Sequence, residues 1–341
     1  MRVAMYYDNN DVRLEEMPKP KIGPGELLVK VMASGICGSD VMQWYRVKSA
    51  PRVLGHEIAG EIVEVGKGVE DYKVGDRVFV SHHVPCNKCR YCLDGKHTVC
   101  DTLRTTNFDP GGFAEYLRIP KINVENGTYL LPKEISFEEG TFVEPLACAI
   151  RGQRIANVRP GHTVLVIGSG IAGLLNIKLA RAREVGRIIA TDVNEYRLEA
   201  AKKFGAGAVI NAKEDVPAKL RKLNENRLAD RVIVCTGAQP AITQALKSVD
   251  KGGTILFFAP TEPGVEVLLP LNDIWFKCAT LTTSYAVAPE DIKKAIELIR
   301  TRSVRVGDMI THRLGLAEAG LGFKLVAEAK ESIKVIIEPQ R

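Results

Sequence analysis

The segment HTVLVIGSGIAG at residues 162–173 restricts the fold of this chain more than any other stretch. Its VLVI residues predict a buried strand, and LLNIKLARA directly after the glycines has the pattern of a helix. Gly168, Gly170 and Gly173 fit G-x-G-x-x-G, which permits a tight turn and close backbone approach. A second strand, RIIATD, follows at 187–192. This order predicts a βαβ unit in a doubly wound parallel α/β sheet of the Rossmann type.

The end of the second strand indicates what this unit binds. Asp192 lies near the distance expected for an acid that accepts hydrogen bonds from an adenosine ribose and repels a 2′-phosphate. Val193 and Asn194 follow it without an adjacent basic residue. The sequence therefore favours NAD over NADP, with the pyrophosphate at the helix N-terminus. The predicted cofactor-binding residues are Gly168, Gly170, Ile171, Gly173 and Asp192.

A second constraint is the segment CNKCRYCLDGKHTVC at residues 86–100. The spacing C-x2-C-x2-C-x7-C suits one tetrahedral zinc ion better than unrelated free cysteines. Iron–sulfur motifs usually place the last cysteine sooner and before a proline, whereas Asp101 follows here. Four thiolates leave no open position for a substrate, so this site is expected to be structural. The predicted ligands are Cys86, Cys89, Cys92 and Cys100.

Other segments carry a second set of metal-binding side chains. GICGSD supplies Cys37, LGHEIAGEIVEVG supplies His56 and Glu57, and TFVEPLAC supplies Glu144. A thiolate, an imidazole and a carboxylate can hold zinc with room for an exchangeable oxygen ligand. Taken singly, each of these residues also fits a packing or surface role, so spacing alone leaves this site open.

The glycines around the histidine carry a family resemblance. GHE-x2-G-x5-G-x2-V, which begins at Gly55, is the signature of the zinc-dependent medium-chain dehydrogenase/reductase family, and the four-cysteine segment follows at the expected place. The chain resembles this family from end to end, and Glu144 before Pro-Leu is similar to its polyol and threonine dehydrogenase branch. The resemblance implies a β-rich, GroES-like catalytic domain at 1–146 and 287–341 and a Rossmann NAD-binding domain at 147–286.

The same resemblance implies roles for the second set of residues. Cys37 and His56 are expected to be the constant ligands of a catalytic zinc. Glu57 and Glu144 are the candidate further ligands, and the sequence leaves open which of them contacts the metal at rest. Ser39 and Glu57 are the expected catalytic side chains, because a hydroxyl at the position of Ser39 can carry away the proton of an alcohol.

The implied reaction is the reversible oxidation of a secondary alcohol or polyol to the ketone with NAD. L-Threonine 3-dehydrogenation is a weaker alternative, because Met42 stands where related enzymes often carry a histidine. A sugar-alcohol phosphate, read by basic residues such as Arg46 or Lys48, is another. A catalytically silent cofactor-binding relative is the non-enzyme alternative. Arg197 matches a family position near the adenosine ribose, although a solvated helix charge also fits it.

Composition narrows the possible partners. The formal charge of +6 is spread along the chain without a basic stripe, which argues against nucleic-acid binding. No apolar stretch has the character of a membrane span. The start of the sequence lacks a signal peptide, which favours the cytoplasm, where thiols stay reduced. The resemblance further implies two zinc ions per chain and a homo-oligomer, a tetramer or a dimer.

Overall fold

The chain divides into two units in the computed structural model, which describes all 341 residues. The first unit comprises Met1–Ala147 and Ala286–Arg341, and the second comprises Cys148–Tyr285. These bounds lie one residue from the expected domain boundaries.

The first unit is built mainly from strands. They are β1 (Arg2–Asp8), β2 (Asp11–Glu16), β3 (Leu27–Gly35), β4 (Arg52–Val53), β5 (Glu57–Val65), β6 (Arg77–Val80), β7 (Tyr116–Ile119), β8 (Thr128–Leu130), β15 (Ile310–Leu314) and β16 (Lys334–Ile337). Its helices are α1 (Gln43–Arg46), α2 (Arg90–Leu93), α3 (Asp101–Thr105), α4 (Lys121–Gly127), α5 (Phe137–Gly140), α12 (Pro289–Arg300) and α13 (Ala319–Glu328). Short 3-10 turns occupy Gly38–Val41, Val47–Ser49, His97–Val99, Gly307–Met309 and Leu316–Glu318.

Strand pairing in this unit brings distant parts of the chain together. A seven-stranded sheet has the order β15-β16-β3-β5-β6-β8 with β7 also on β3, and a three-stranded sheet has the order β2-β1-β4. β3 runs antiparallel to β5, with Gly35 opposite Glu57, and β16 pairs with the same end of β3. Alternating buried side chains such as Leu27, Val29 and Val31 form the core beneath the sheet. The last strand of the chain therefore lies beside the start of β5.

The second unit alternates strands and helices. The strands are β9 (Thr163–Ile167), β10 (Arg187–Asp192), β11 (Ala208–Asn211), β12 (Ala229–Val234), β13 (Val249–Phe257) and β14 (Thr280–Thr283). The helices are α7 (Ile171–Ala182), α8 (Glu195–Lys203), α9 (Val216–Leu223), α10 (Gln239–Ser248) and α11 (Leu271–Lys277), while α6 (Val143–Ile155) leads into the unit from the first one.

All strands of the second unit form one parallel sheet in the order β11-β10-β9-β12-β13-β14. β9 is completely buried, as its apolar sequence predicts, and the strand order reverses beside it. Ligands of doubly wound sheets bind at this reversal. The predicted Rossmann fold is therefore confirmed. None of the helices in the chain combines the length and the apolar character that crossing a bilayer requires.

Candidate metal and cofactor sites

The first candidate site lies where β3 ends and β5 begins. Cys37 follows β3 by two residues, and His56 and Glu57 stand at the start of its antiparallel neighbour. The thiol sulfur, an imidazole nitrogen and a carboxylate oxygen of these three residues lie within 4.8 Å of one another. His56 and Glu57 are buried. The soft and hard donors of this set are those that zinc accepts, so the residues present fit that metal.

Asp40 orients two members of this cluster. Its side chain is fully buried, and its Oδ2 accepts a hydrogen bond of 3.0 Å from the Cys37 amide. Its Oδ1 lies 3.3 Å from Nδ1 of His56. A histidine held through one ring nitrogen presents the other to a metal, so Asp40 positions His56 for metal binding.

Charge also couples Asp40 to the histidine. Burial alone would lower the pKa of His56, but the charges of Asp40 and Cys37 raise it well above its usual value. Burial likewise would raise the pKa of Asp40, yet the charges of His56 and Arg46 hold it below its usual value. Asp40 therefore favours the protonated form of His56, and a metal bound at this site competes with that proton.

Glu57 has a partner that sequence reasoning missed. Lys334, at the start of β16, has a side chain with 0% exposure, and its ammonium group forms an ion pair with the Glu57 carboxylate across 277 residues of chain. Burial raises the pKa of Glu57, and the charge of Lys334 opposes that shift. A lysine inside the apolar run IKVII was the available signal, because a lysine is buried almost only when it is paired.

Gly35 makes this ion pair possible. A Cβ atom at this position would lie 2.4 Å from Oε2 of Glu57 and 2.6 Å from Cε of Lys334. Any side chain would therefore push the two charged groups apart.

Glu144 lies outside the cluster of three. It is buried near the start of α6, and its charge acts on Glu57. It is not among the residues whose ligand atoms lie within 4.8 Å of one another. Its role as a metal ligand stays a prediction.

The hydroxyl of Ser39 lies on the thiol side of the site. Ser39 Oγ is 3.4 Å from Cys37 Sγ, and Arg46 donates from Nη2 to the same hydroxyl at 3.1 Å and from Nε to the Ser39 carbonyl at 2.9 Å. On the imidazole side, the ring centroid of His82 is 4.8 Å from that of His56. No ligand-like spacing marks His82 in the sequence.

The four-cysteine segment forms the second candidate metal site. The sulfurs of Cys86, Cys89, Cys92 and Cys100 lie within 4.8 Å of one another. The Cys89–Cys92 and Cys86–Cys100 sulfur distances are 3.5 and 3.6 Å. Zinc–sulfur bonds of about 2.3 Å give a tetrahedron with edges of about 3.8 Å, so a zinc ion fits this cage.

The glycine-rich turn of the second unit forms the candidate cofactor site. Gly168 has a φ of +89°, and a Cβ on Gly173 would lie 1.9 Å from the Gly168 carbonyl oxygen, so both positions require glycine. The buried carboxylate of Asp192 accepts hydrogen bonds from the amides of Ser169 at 2.8 Å and Asn194 at 3.0 Å.

Two further predicted cofactor residues lie at the same turn. The guanidinium of Arg197 comes within 3.7 Å of the place where a Cβ of Gly170 would stand, so this arginine lies against the turn. Ile171 begins α7, whose N-terminus can receive a pyrophosphate. The predicted residues therefore meet at one place, and the donor set suits a dinucleotide.

Two family descriptions match the chain. Residues 23–128 match the alcohol dehydrogenase GroES-like domain, and residues 172–301 match the zinc-binding dehydrogenase domain. Sorbitol dehydrogenase of Bacillus subtilis is 31% identical over 354 residues, covering 100% of this chain and 98% of the relative. D-xylulose reductase A of Aspergillus oryzae is 34% identical over 346 residues, covering 96% and 93%.

Solved structures agree in fold. 2R,3R-butanediol dehydrogenase from Bacillus subtilis superposes with a TM-score of 0.87 at 27% identity, covering 99% of both chains. A protein from Sinorhizobium meliloti 1021, solved as a candidate zinc-binding dehydrogenase with NADP bound, superposes with a TM-score of 0.88 at 28% identity and the same coverage.

Proposed function

Because the chain belongs to the polyol dehydrogenases of the zinc-dependent medium-chain dehydrogenase/reductase family, we propose that it oxidises a secondary hydroxyl of a polyol to the ketone with NAD. The family resemblance predicted from the motifs is confirmed, and with it an oxidoreductase that uses zinc and a nicotinamide cofactor on a small-molecule alcohol. The relatives named for sorbitol and D-xylulose support a polyol as the substrate.

The observation that carries this proposal is the meeting of Cys37, His56 and Glu57 beside the Ser39 hydroxyl. These residues and Glu144 would hold the catalytic zinc. When bound, zinc would supply a Lewis acid that lowers the pKa of the substrate alcohol, and a nicotinamide cofactor would supply the hydride acceptor.

The chain's own residues hold the site and move the proton. Asp40 fixes the tautomer of His56, so that its second nitrogen points away from Asp40 towards the metal position. Lys334 holds the Glu57 carboxylate in its charged form inside the sheet. Ser39 receives the proton of the alcohol and passes it towards solvent.

NAD rather than NADP is proposed because Asp192 is buried at the end of β10 and carries a negative charge where a 2′-phosphate would approach. Arg197 stands close to the same turn and contributes to binding the cofactor. A second, structural zinc is proposed for the four-cysteine cage. The two units described above are proposed to be the catalytic and the NAD-binding domains.

The first test is NAD reduction by the zinc-loaded protein with sorbitol, xylitol, arabitol, galactitol 1-phosphate, butanediol, simple secondary alcohols and L-threonine. We expect turnover with at least one polyol. The matched control is Cys37→Ser, a small change of one atom that removes one proposed ligand. Turnover confined to L-threonine, or none at all with NAD and NADP, would contradict the proposal.

Cofactor choice has its own test. The wild type should show a higher kcat/KM with NAD than with NADP, and Asp192→Ala should narrow that ratio by about tenfold or more, because the acid that repels a 2′-phosphate is removed. Equal use of both cofactors by the wild type would contradict the role given to Asp192.

A homo-oligomer, a dimer or a tetramer, is also proposed. β14 is an edge strand, and Leu268, Leu271, Trp275 and Phe276 nearby are exposed, with Trp275 at 70%. Such a patch beside an open strand edge suits a second copy of the chain. Trp275→Glu should shift the mass measured by light scattering towards the monomer. The cytoplasmic location stays a prediction.

A further inference from the structure

A cationic segment follows the Ser39 turn. Residues 46–52 read RVKSAPR and contain three cations and no acid. Arg46 ends α1, and its side chain is 15% exposed. It is held by the Ser39 carbonyl, the Ser39 hydroxyl and Asp40, the last at 3.4 Å. Because Ser39 in turn contacts Cys37, this guanidinium lies one side chain away from the proposed zinc ligands.

Arg52 lacks such partners. It lies on the short strand β4 and is only partly exposed, yet its one hydrogen bond is a long contact of 3.5 Å to Ser49 Oγ, and it forms no ion pair. Burial lowers the pKa of Arg52, and the charge of Arg46 lowers it further. Asp40 is the only carboxylate that acts on Arg52, and it is already shared between Arg46 and His56. The segment therefore holds a positive charge that the chain does not neutralise.

The groups around these arginines are donors rather than anions. The charges of Arg46 and Arg52 act on His82, and that of Arg46 acts on His83. An imidazole carries no negative charge, so neither histidine can neutralise the arginines. Lys48 of the same segment is exposed to solvent, so it is less suited than the arginines to bind a group of the substrate.

We propose that Arg46 and Arg52 form a subsite for an anionic group, a carboxylate or a phosphate ester, carried by the polyol substrate. This inference rests on the proposed function, because the subsite borders the zinc site described above. Guanidinium groups bind both anions through paired, charge-assisted hydrogen bonds. Arg46 also fixes the Ser39 hydroxyl, so the free charge of Arg52 carries most of the recognition.

The test compares matched substrates that differ in charge. For the zinc-loaded protein with NAD, we expect kcat/KM to be at least about tenfold higher for galactitol 1-phosphate than for galactitol, or for D-gluconate than for sorbitol. The first pair tests a phosphate ester and the second a carboxylate. Arg52→Gln should reduce that preference about tenfold or more. Lys67→Gln, which removes an exposed lysine elsewhere in the first unit, should leave the preference unchanged.

The outcomes separate this inference from the proposed function. Oxidation of neutral polyols without any gain from an anion overturns the subsite and leaves the proposed function standing. An equal loss for both members of a pair in Arg52→Gln assigns Arg52 a purely structural role and also overturns it. If no substrate is oxidised, the proposed function fails. In that case the subsite is tested by the binding of inorganic phosphate, measured by calorimetry. Weaker binding to Arg52→Gln than to the wild type supports the subsite, and equal binding overturns it.

Discussion

The two candidate metal sites of the first unit differ in how much of the chain builds them. The cage of four cysteines comes from a single segment of fifteen residues, and its small buried cluster is Cys92, Cys100 and Leu103. The Cys37–His56–Glu57 site combines the end of β3, the start of β5 and a lysine from β16. The first site is local and closed to further ligands, while the second depends on correct pairing across the whole sheet.

This difference separates a site suited to bracing the fold, the cysteine cage, from a site suited to chemistry, the Cys37–His56–Glu57 cluster. Four thiolates saturate zinc, so that cage can only brace its loop. The thiolate, imidazole and carboxylate set leaves room for a substrate oxygen, and its buried charges are tolerated only because Asp40 and Lys334 balance them. Variants that disturb one site and spare the other separate these roles.

The largest expected effect comes from Cys37→Ser. Loss of this proposed zinc ligand should lower kcat/KM about 1000-fold or more, because the Lewis acid would be lost or misplaced. Zinc measured by mass spectrometry should fall from two ions per chain to one, since the cage is untouched. Cys278→Ser, at an exposed cysteine, is the control. Full activity with one zinc ion would break the assignment of the two sites.

Lys334→Met should have the next largest effect, this time on stability. Removing the ammonium leaves the buried Glu57 carboxylate without its partner, which costs about 3–5 kcal/mol in comparable buried pairs. Urea unfolding measures the loss, and Lys293→Met on the exposed face of α12 serves as the control. The double variant Lys334→Met with Glu57→Gln should recover part of the stability. A single variant as stable as the wild type would argue against the pair.

A smaller and local effect is expected for Cys100→Ser. The cage supports few buried residues, so its loss should raise hydrogen exchange within residues 86–105 and lower Tm by less than Lys334→Met does. Turnover per folded molecule should stay close to that of the wild type. Loss of activity as complete as that in Cys37→Ser would show that the cage does more than brace the loop.

The smallest expected difference lies in proton release on zinc binding. In the metal-free cage, burial raises the pKa of Cys92 to about 12, whereas backbone hydrogen bonds outweigh burial and lower that of Cys100 to about 6. Near pH 7.5 zinc binding to the cage should therefore displace the proton that Cys92 holds. An indicator titration of Cys37→Ser isolates the cage. Zinc affinity of the cage should then fall as the pH decreases, because Cys92 must lose its proton to bind the metal.

Sequence and structure agree where the determinants are local. The spacing of the four cysteines predicted which residues lie together in the cage, and the glycines predicted the turn after β9. Each of these arrangements depends on a few neighbouring residues. Lys334 and His82 were not predicted in their present roles. They lie at the site through strand pairing and loop packing with residues far away in the sequence, which no spacing rule encodes. The position of Lys334 in an apolar strand indicated a buried ion pair, but the sequence did not show that Glu57 is the partner.

Gly35 has a consequence for how the protein is made. Its missing side chain leaves the space in which Lys334 reaches Glu57, yet these two residues leave the ribosome 277 positions apart. At about 5–20 residues per second, the interval is roughly 14–55 s. During that time Glu57 is solvated by water instead of an ammonium group, and the edge of β3 remains open. The proposed catalytic site is therefore among the last parts of the molecule to be completed during synthesis.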